Sequence, residues 1–168
     1  VVGDSSQKKN KQDFSILKKA CFALANAASL VDSFANASLF IFIPFLLAFR
    51  GIEASFIGMF TTIFFVGNLL GQIIMGRLTD KIGKERLSIC CEISIFVSLV
   101  ALALTPSSII ISFLALILGF FTKGTVPITS TMIAESVSKD DFEAAYSINS
   151  LSTSVANTVA PLFFGVLA

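Results

Sequence analysis

Apolar residues run through this chain in long blocks, broken only by short polar punctuation. A helix that crosses the hydrocarbon of a bilayer needs about 20 largely apolar residues, within a range of about 17–25. Five runs meet that requirement, at residues 20–49, 55–75, 87–104, 108–133 and 142–168. Between them lie Arg50-Gly51-Ile52-Glu53, the charged stretch 76–86, Thr105-Pro106-Ser107, and residues 135–141. The first, fourth and fifth runs exceed the bilayer thickness, so tilt or protrusion is expected. Pro44, Pro127 and Pro161 fall inside apolar runs, where neighbouring helices can re-satisfy the freed backbone groups. The pattern therefore predicts an all-α membrane protein of five transmembrane helices over residues 20–168, preceded by a polar lead-in at 1–19.

The basic residues orient this array. Lys8, Lys9, Lys11, Lys18 and Lys19, then Arg77, Lys81, Lys84 and Arg86, then Lys139 would all share one side of the membrane, against Arg50 alone on the other. Cytoplasmic segments carry the excess of Lys and Arg, which predicts a multi-pass cell-membrane protein with a cytoplasmic N-terminus. The absence of an initial Met, and an odd number of spans ending at Ala168, lead us to expect a fragment of a longer protein.

Composition narrows the function. Only 14% of residues are charged, against roughly a quarter in soluble domains, so the net charge does not indicate a nucleic-acid partner. Histidine is absent, which removes the commonest metal ligand and general base. Cys21, Cys90 and Cys91 all sit in apolar stretches, without zinc spacing or a disulfide framework. No nucleotide-binding motif appears. Neither a cofactor nor a metal is expected, and a membrane enzyme is poorly supported.

The charged stretch reads Gly76-Arg77-Leu78-Thr79-Asp80-Lys81-Ile82-Gly83-Lys84-Glu85-Arg86. It resembles the signature G-x-L-x-D-(R/K)-x-G-(R/K)-(R/K) between the second and third helices of each half of major facilitator superfamily transporters. Gly76, Leu78, Asp80, Lys81, Gly83 and Lys84 match; Glu85 replaces the second basic residue. Glycines suit a tight helix-to-helix reversal, and an acidic side chain can meet the positive end of a neighbouring helix dipole. The resemblance implies that Asp80 does so at the start of the fifth span, as a latch on the cytoplasmic side. The competing reading is a loop that only sets topology. The fourth span lacks the Arg-containing motif usual in first halves, and Pro161-Leu162-Phe163-Phe164-Gly165 is similar to the proline–glycine pattern of fifth and eleventh helices. The resemblance thus implies helices seven to eleven of a C-terminal six-helix half-bundle. Six further helices would precede it and one would follow.

Polar residues inside the spans fall on faces. At about 100° per residue, Asn26, Ser29, Asp32, Ser33 and Asn36 span about 120° of arc, and Thr61, Asn68 and Gln72 only about 40°. Ser112, Gly119, Lys123, Pro127 and Ser130 align on the fourth run, and Tyr146, Asn149, Ser150, Thr153 and Asn157 on the fifth. The third run has no comparable stripe, which suits the peripheral helix that the family resemblance implies. These residues either line a cavity or tie helices together; Gly67 and Gly71 form a separate packing face.

Glu92 lies close enough to the cytoplasmic surface to pair with Arg77 or Arg86. Asp32 and Lys123 are deeper, each about 12 residues from the cytoplasmic end of its helix and so about 18 Å into the membrane. Burying either alone costs at least about 2.5–3.5 kcal/mol. The sequence therefore points to Asp32, Lys123, Asn36, Asn68, Gln72, Asn149 and Asn157 as substrate or coupling residues, with Gly76, Asp80, Lys81, Gly83 and Lys84 in the gating loop. A permanent Asp32–Lys123 salt bridge is the structural alternative.

Together these readings describe a secondary active transporter of a small solute, working by alternating access with protons as the coupling ion. A non-transporting scaffold or receptor of the same topology is the other function class, although it has no need of Asp32 and Lys123 at matched depth. Phe40, Phe65, Phe120 and Phe121 near the striped faces suit an amphipathic solute, and lipid contact explains them equally well.

Overall fold

The computed structural model describes residues 20–167, all helical apart from short turns. Helix α1 covers Ala20–Phe49, α2 Ala54–Ile82, α3 Lys84–Leu104, α4 Ser108–Ser136 and α5 Phe142–Leu167, with a 3₁₀ turn at Lys139–Asp141 before α5. The polar lead-in, with Lys8, Lys9, Lys11, Lys18 and Lys19, lies outside the described residues, as does Ala168. Among the described residues, four helices, α1 to α4, are long and apolar enough to cross a membrane. Helix α5, at 26 residues, has the length, with its Ser, Thr and Asn lying before Pro161.

The boundaries depart most from the apolar runs at the charged stretch. Residues 76–82 continue α2 as a helix, and α3 begins at Lys84. Only Gly83 interrupts, with φ +93°, a conformation that L side chains rarely adopt. The charged stretch is therefore not a loop. Arg, Leu, Lys and Met are good helix formers, and emerging from the hydrocarbon does not end a helix. Gly76, expected to help the reversal, sits within α2 facing the Pro127 side chain of α4.

The α1–α2 turn has a simple cause. Gly51 takes φ +75°; its N–H donates to the Ala48 carbonyl at 2.9 Å while the Ile52 N–H reaches back to Leu47 at 3.1 Å. Those are the two bonds of a Schellman cap. Pro106 follows α3 and prevents its continuation.

The described residues divide into two compact units, one of 20–38 with 129–167 and the other of 39–128. In the second unit the core joins Ile43 and Leu47 of α1, Phe60 and Phe64 of α2, Ile95 and Leu102 of α3, and Leu114 and Leu118 of α4. Helices α2 and α4 cross at backbone contact. A Cβ on Gly71 would run into the Phe120 carbonyl, and one on Gly119 into the Phe64 carbonyl. Such close approach replaces the hydrophobic drive that lipid does not supply. On α3, Cys91, Ile95, Ser98 and Leu102 turn inward while Ile89, Ile93, Phe96, Val97 and Val100 are exposed. That apolar exterior is what an acyl-chain environment favours. The other unit has its own small core of Phe22, Ala25, Ile133 and Ala145.

Gly119→Val should destabilise the protein by about 1–3 kcal/mol or more through overpacking, seen as a lower melting temperature in detergent. Gly58→Ala, where an added Cβ meets nothing within 4 Å, should leave it unchanged or higher.

Candidate functional site

On α1 the Asn36 side-chain amide donates to Asp32 Oδ1 at 2.9 Å. Residues four apart stack on one helix face, so Asn36 orients the carboxylate from one turn away. Both are half-buried, as is Ser33, while Ser29 is buried. The α1 stripe expected from the sequence is thus a real polar face with an internally organised carboxylate.

That face meets α5 within the same unit. Asn26 Nδ2 donates to Ser152 Oγ at 3.3 Å, and the Oδ1 atoms of Asn26 and Asn149 are buried without a hydrogen-bond partner. Asn149 precedes Ser152 by three residues and shares its side of α5. Asn157, further along, is exposed. Helical arcs marked Asn149 as a candidate but could not show that Asn26 bonds Ser152, one turn along α5. The signal was present only as two polar faces with no pairing between them.

The stripe of α2 divides. Thr61 lines a small apolar crevice with Leu39, Phe40, Ile43, Pro44 and Phe64, and its hydroxyl donates to the Ile57 carbonyl. Asn68 is only 6% exposed; it lies beside Gly119 at the α2–α4 crossing, with Oδ1 unpartnered. Gln72, one turn on, is exposed. Three residues within a narrow arc therefore have three surroundings, because the edge of the α4 contact runs along that arc.

Lys123 is exposed on α4 between the buried Thr122 and Gly124. It belongs to the second unit and Asp32 to the first. Of the gating residues, Asp80, Lys81 and Gly83 are exposed and Lys84 half-buried. The start of α5 carries acids of its own. Asp141 accepts from Ser138 Oγ at 2.7 Å, and Glu143 lies in the first helical turn. Both complement the dipole without Asp80.

One residue has a role that the charge count concealed. Arg50, the lone basic residue of its side, reaches the end of α3, where its guanidinium donates to the carbonyls of Leu102 at 3.0 Å, Thr105 at 3.4 Å, and Ala103. The last carbonyls of a helix lack intrahelical donors, and a cation there also meets the negative end of the dipole. Among the described residues no group of three or more potential metal ligands occurs.

The arrangement is a set of membrane-length helices with polar residues on them, α1 carrying a carboxylate held by Asn36. The sequence profile of the Major Facilitator Superfamily matches residues 25–168, and the chain belongs to that superfamily. It is a multi-pass membrane protein of the transporter class. No curated protein and no solved structure matches it.

Arg50→Gln should cost about 1–2 kcal/mol by uncapping α3, measurable as a lower unfolding temperature at unchanged membrane insertion.

Proposed function

We propose that this chain forms the C-terminal half of a secondary active transporter that moves a small solute by alternating access, driven by the proton gradient. Superfamily membership supplies the class. The observation that carries the mechanism is Asp32, a carboxylate in the middle of α1, half-buried and fixed by Asn36. Holding an ionisable group at that depth is costly, and such groups mark ion and substrate paths. Binding a proton changes its charge where the solute passes, which links the two fluxes. Lys123, the other ionisable residue deep in a span, serves as the seat of an anionic substrate group. Asn36, Gln72, Asn149 and Asn157 contribute polar contacts, and Asp80 with its basic neighbours governs the inward gate.

The bilayer placement follows from the ten-to-one division of Lys and Arg. Arg50, the exception, is committed to carbonyl oxygens, so it competes weakly as a topological signal. The remaining helices of the fold complete the cavity. We place the protein in the cell membrane with the α2–α3 turn facing the cytoplasm.

Asp32→Asn tests the coupling. In vesicles containing the complete transporter under an imposed proton gradient, a panel of labelled solutes should reveal one that accumulates and that an uncoupler releases. The variant should lose at least about tenfold of that accumulation while retaining downhill exchange. Accumulation unchanged in the variant removes Asp32 from the mechanism. For topology, single cysteines at Gly83 and Pro106 in a cysteine-free background should differ. In intact cells an impermeant maleimide should label position 106 and spare 83; the reverse pattern overturns the orientation.

A further inference from the structure

In the unit built from residues 20–38 and 129–167 the hydroxyls of α5 are turned onto their own helix, Ser152 and Thr153 half-buried and Ser147 and Thr158 exposed. Along α5, Ser147, Ser152, Thr153 and Thr158 donate their hydroxyl hydrogens to the carbonyls of Glu143, Ile148, Asn149 and Ser154, at 2.8–3.0 Å. A hydroxyl has one hydrogen, so each oxygen presents only lone pairs to its surroundings. Ser152 can therefore only accept from Asn26, which fixes that amide with Nδ2 toward Ser152 and Oδ1 turned away. The amide orientation follows from the network. Asn26 Oδ1 and Asn149 Oδ1 are then buried acceptors without a donor, an arrangement costly in a folded protein. Asp32 lies six residues beyond Asn26, about 9 Å along the axis. The helical residues of this unit, 20–38, 129–136 and 142–167, contain no Lys or Arg.

We propose that the Asn26–Asn149 seam is the subsite for a protonated amine, so that the transported solute carries a primary ammonium group. This deepens the transporter reading and rests on it. An ammonium brings several N–H donors, which match two orphaned carbonyl oxygens, and a positive charge, which suits a lining of lone pairs near a carboxylate. A hydroxyl would satisfy the oxygens without using the field. A quaternary ammonium would use the field without satisfying the oxygens.

That contrast is the test. The complete transporter in detergent is titrated with 2-phenylethylammonium, its N,N,N-trimethyl analogue and 2-phenylethanol. The primary ammonium should bind tighter than both others by about tenfold or more, the scale of a hydrogen bond from a charged donor. Asn26→Leu and Asn149→Leu should each bring the primary-to-quaternary ratio close to one. The ligand-free melting temperature of Asn149→Leu should hold or rise, since an apolar group replaces a buried acceptor without a donor. Equal binding of the three probes, no binding of the ammonium, or a ratio that survives both substitutions overturns the assignment. Gradient-driven accumulation of some other solute alongside any of these sinks only the subsite. Vesicles that accumulate no solute sink the transport reading itself, whatever the titrations show.

Discussion

Hydrocarbon offers a polar group no partner, and each side chain here that carries a hydroxyl or an amide must find one inside the protein. The commonest solution is local. Thr61, Thr79, Ser94, Ser98, Ser112 and Ser152 all turn their hydroxyls onto the carbonyl four residues back. Such a bond needs no neighbouring helix, so Ser and Thr can be spread through a membrane helix at little cost. Asparagine has no equivalent escape. Its amide carries two donors and a carbonyl, and one backbone bond leaves the rest unmatched. The asparagines accordingly bond another side chain, as Asn36 does with Asp32 and Asn26 with Ser152, or keep a buried oxygen unpartnered, as Asn68 and Asn149 do.

The same constraint explains which parts of the fold were legible in the sequence. The 20–49 run ends with α1 at Phe49, α5 begins with its run at Phe142, and α4 outlasts its run by three residues. Hydropathy reports where hydrocarbon is, and where a helix coincides with hydrocarbon the two agree. At 76–86 they do not. The charges there exclude the segment from the acyl region, but nothing in Arg77, Leu78 or Lys81 opposes helix, so α2 runs on into water until Gly83 breaks it. Charge was read as loop when it meant only water. The glycines divide in the same way: Gly51 and Gly83 shape turns through positive φ, whereas Gly67, Gly71 and Gly119 serve by lacking a side chain. Spacing along one helix cannot separate these roles without the partner helix.

The site was legible to a lesser depth. Helical arcs locate polar stripes because the 3.6-residue period is fixed, but on α5 the stripe omits Ser152, the residue that meets α1, and includes the exposed Tyr146, Ser150 and Asn157. What an arc cannot supply is the edge of a contact. Asn68 and Gln72 differ by about 40° on the helix, yet one is closed in by α4 and the other is open. Nor does an arc indicate hydrogen-bond direction. Asn26 and Ser152 are both unremarkable polar residues in the sequence, and only the hydroxyl's bond to Ile148 makes the serine an acceptor and sets the amide's orientation. Arg50 illustrates the reverse error. Counted as a charge it is an exception to the positive-inside bias; seen at the α3 terminus it is a cap whose charge is spent.

Helix α5 brings these arguments to one point. Its first half is rich in Ser, Thr and Asn, while its second half runs into the apolar stretch around Pro161. Every Ser, Thr or Asn that serves the seam weakens partition into lipid. Local hydroxyl bonds offset part of that loss, but the buried Asn149 carbonyl is left over. The rest must come from packing, and the cluster of Phe22, Ala25, Ile133 and Ala145 binds the beginning of α5 to α1 and the end of α4. A small apolar core at one end anchors the start of the helix, and the polar seam lies beyond it. A face saturated by its neighbours would have nothing left with which to bind, and the Asn149 carbonyl keeps this one unsaturated.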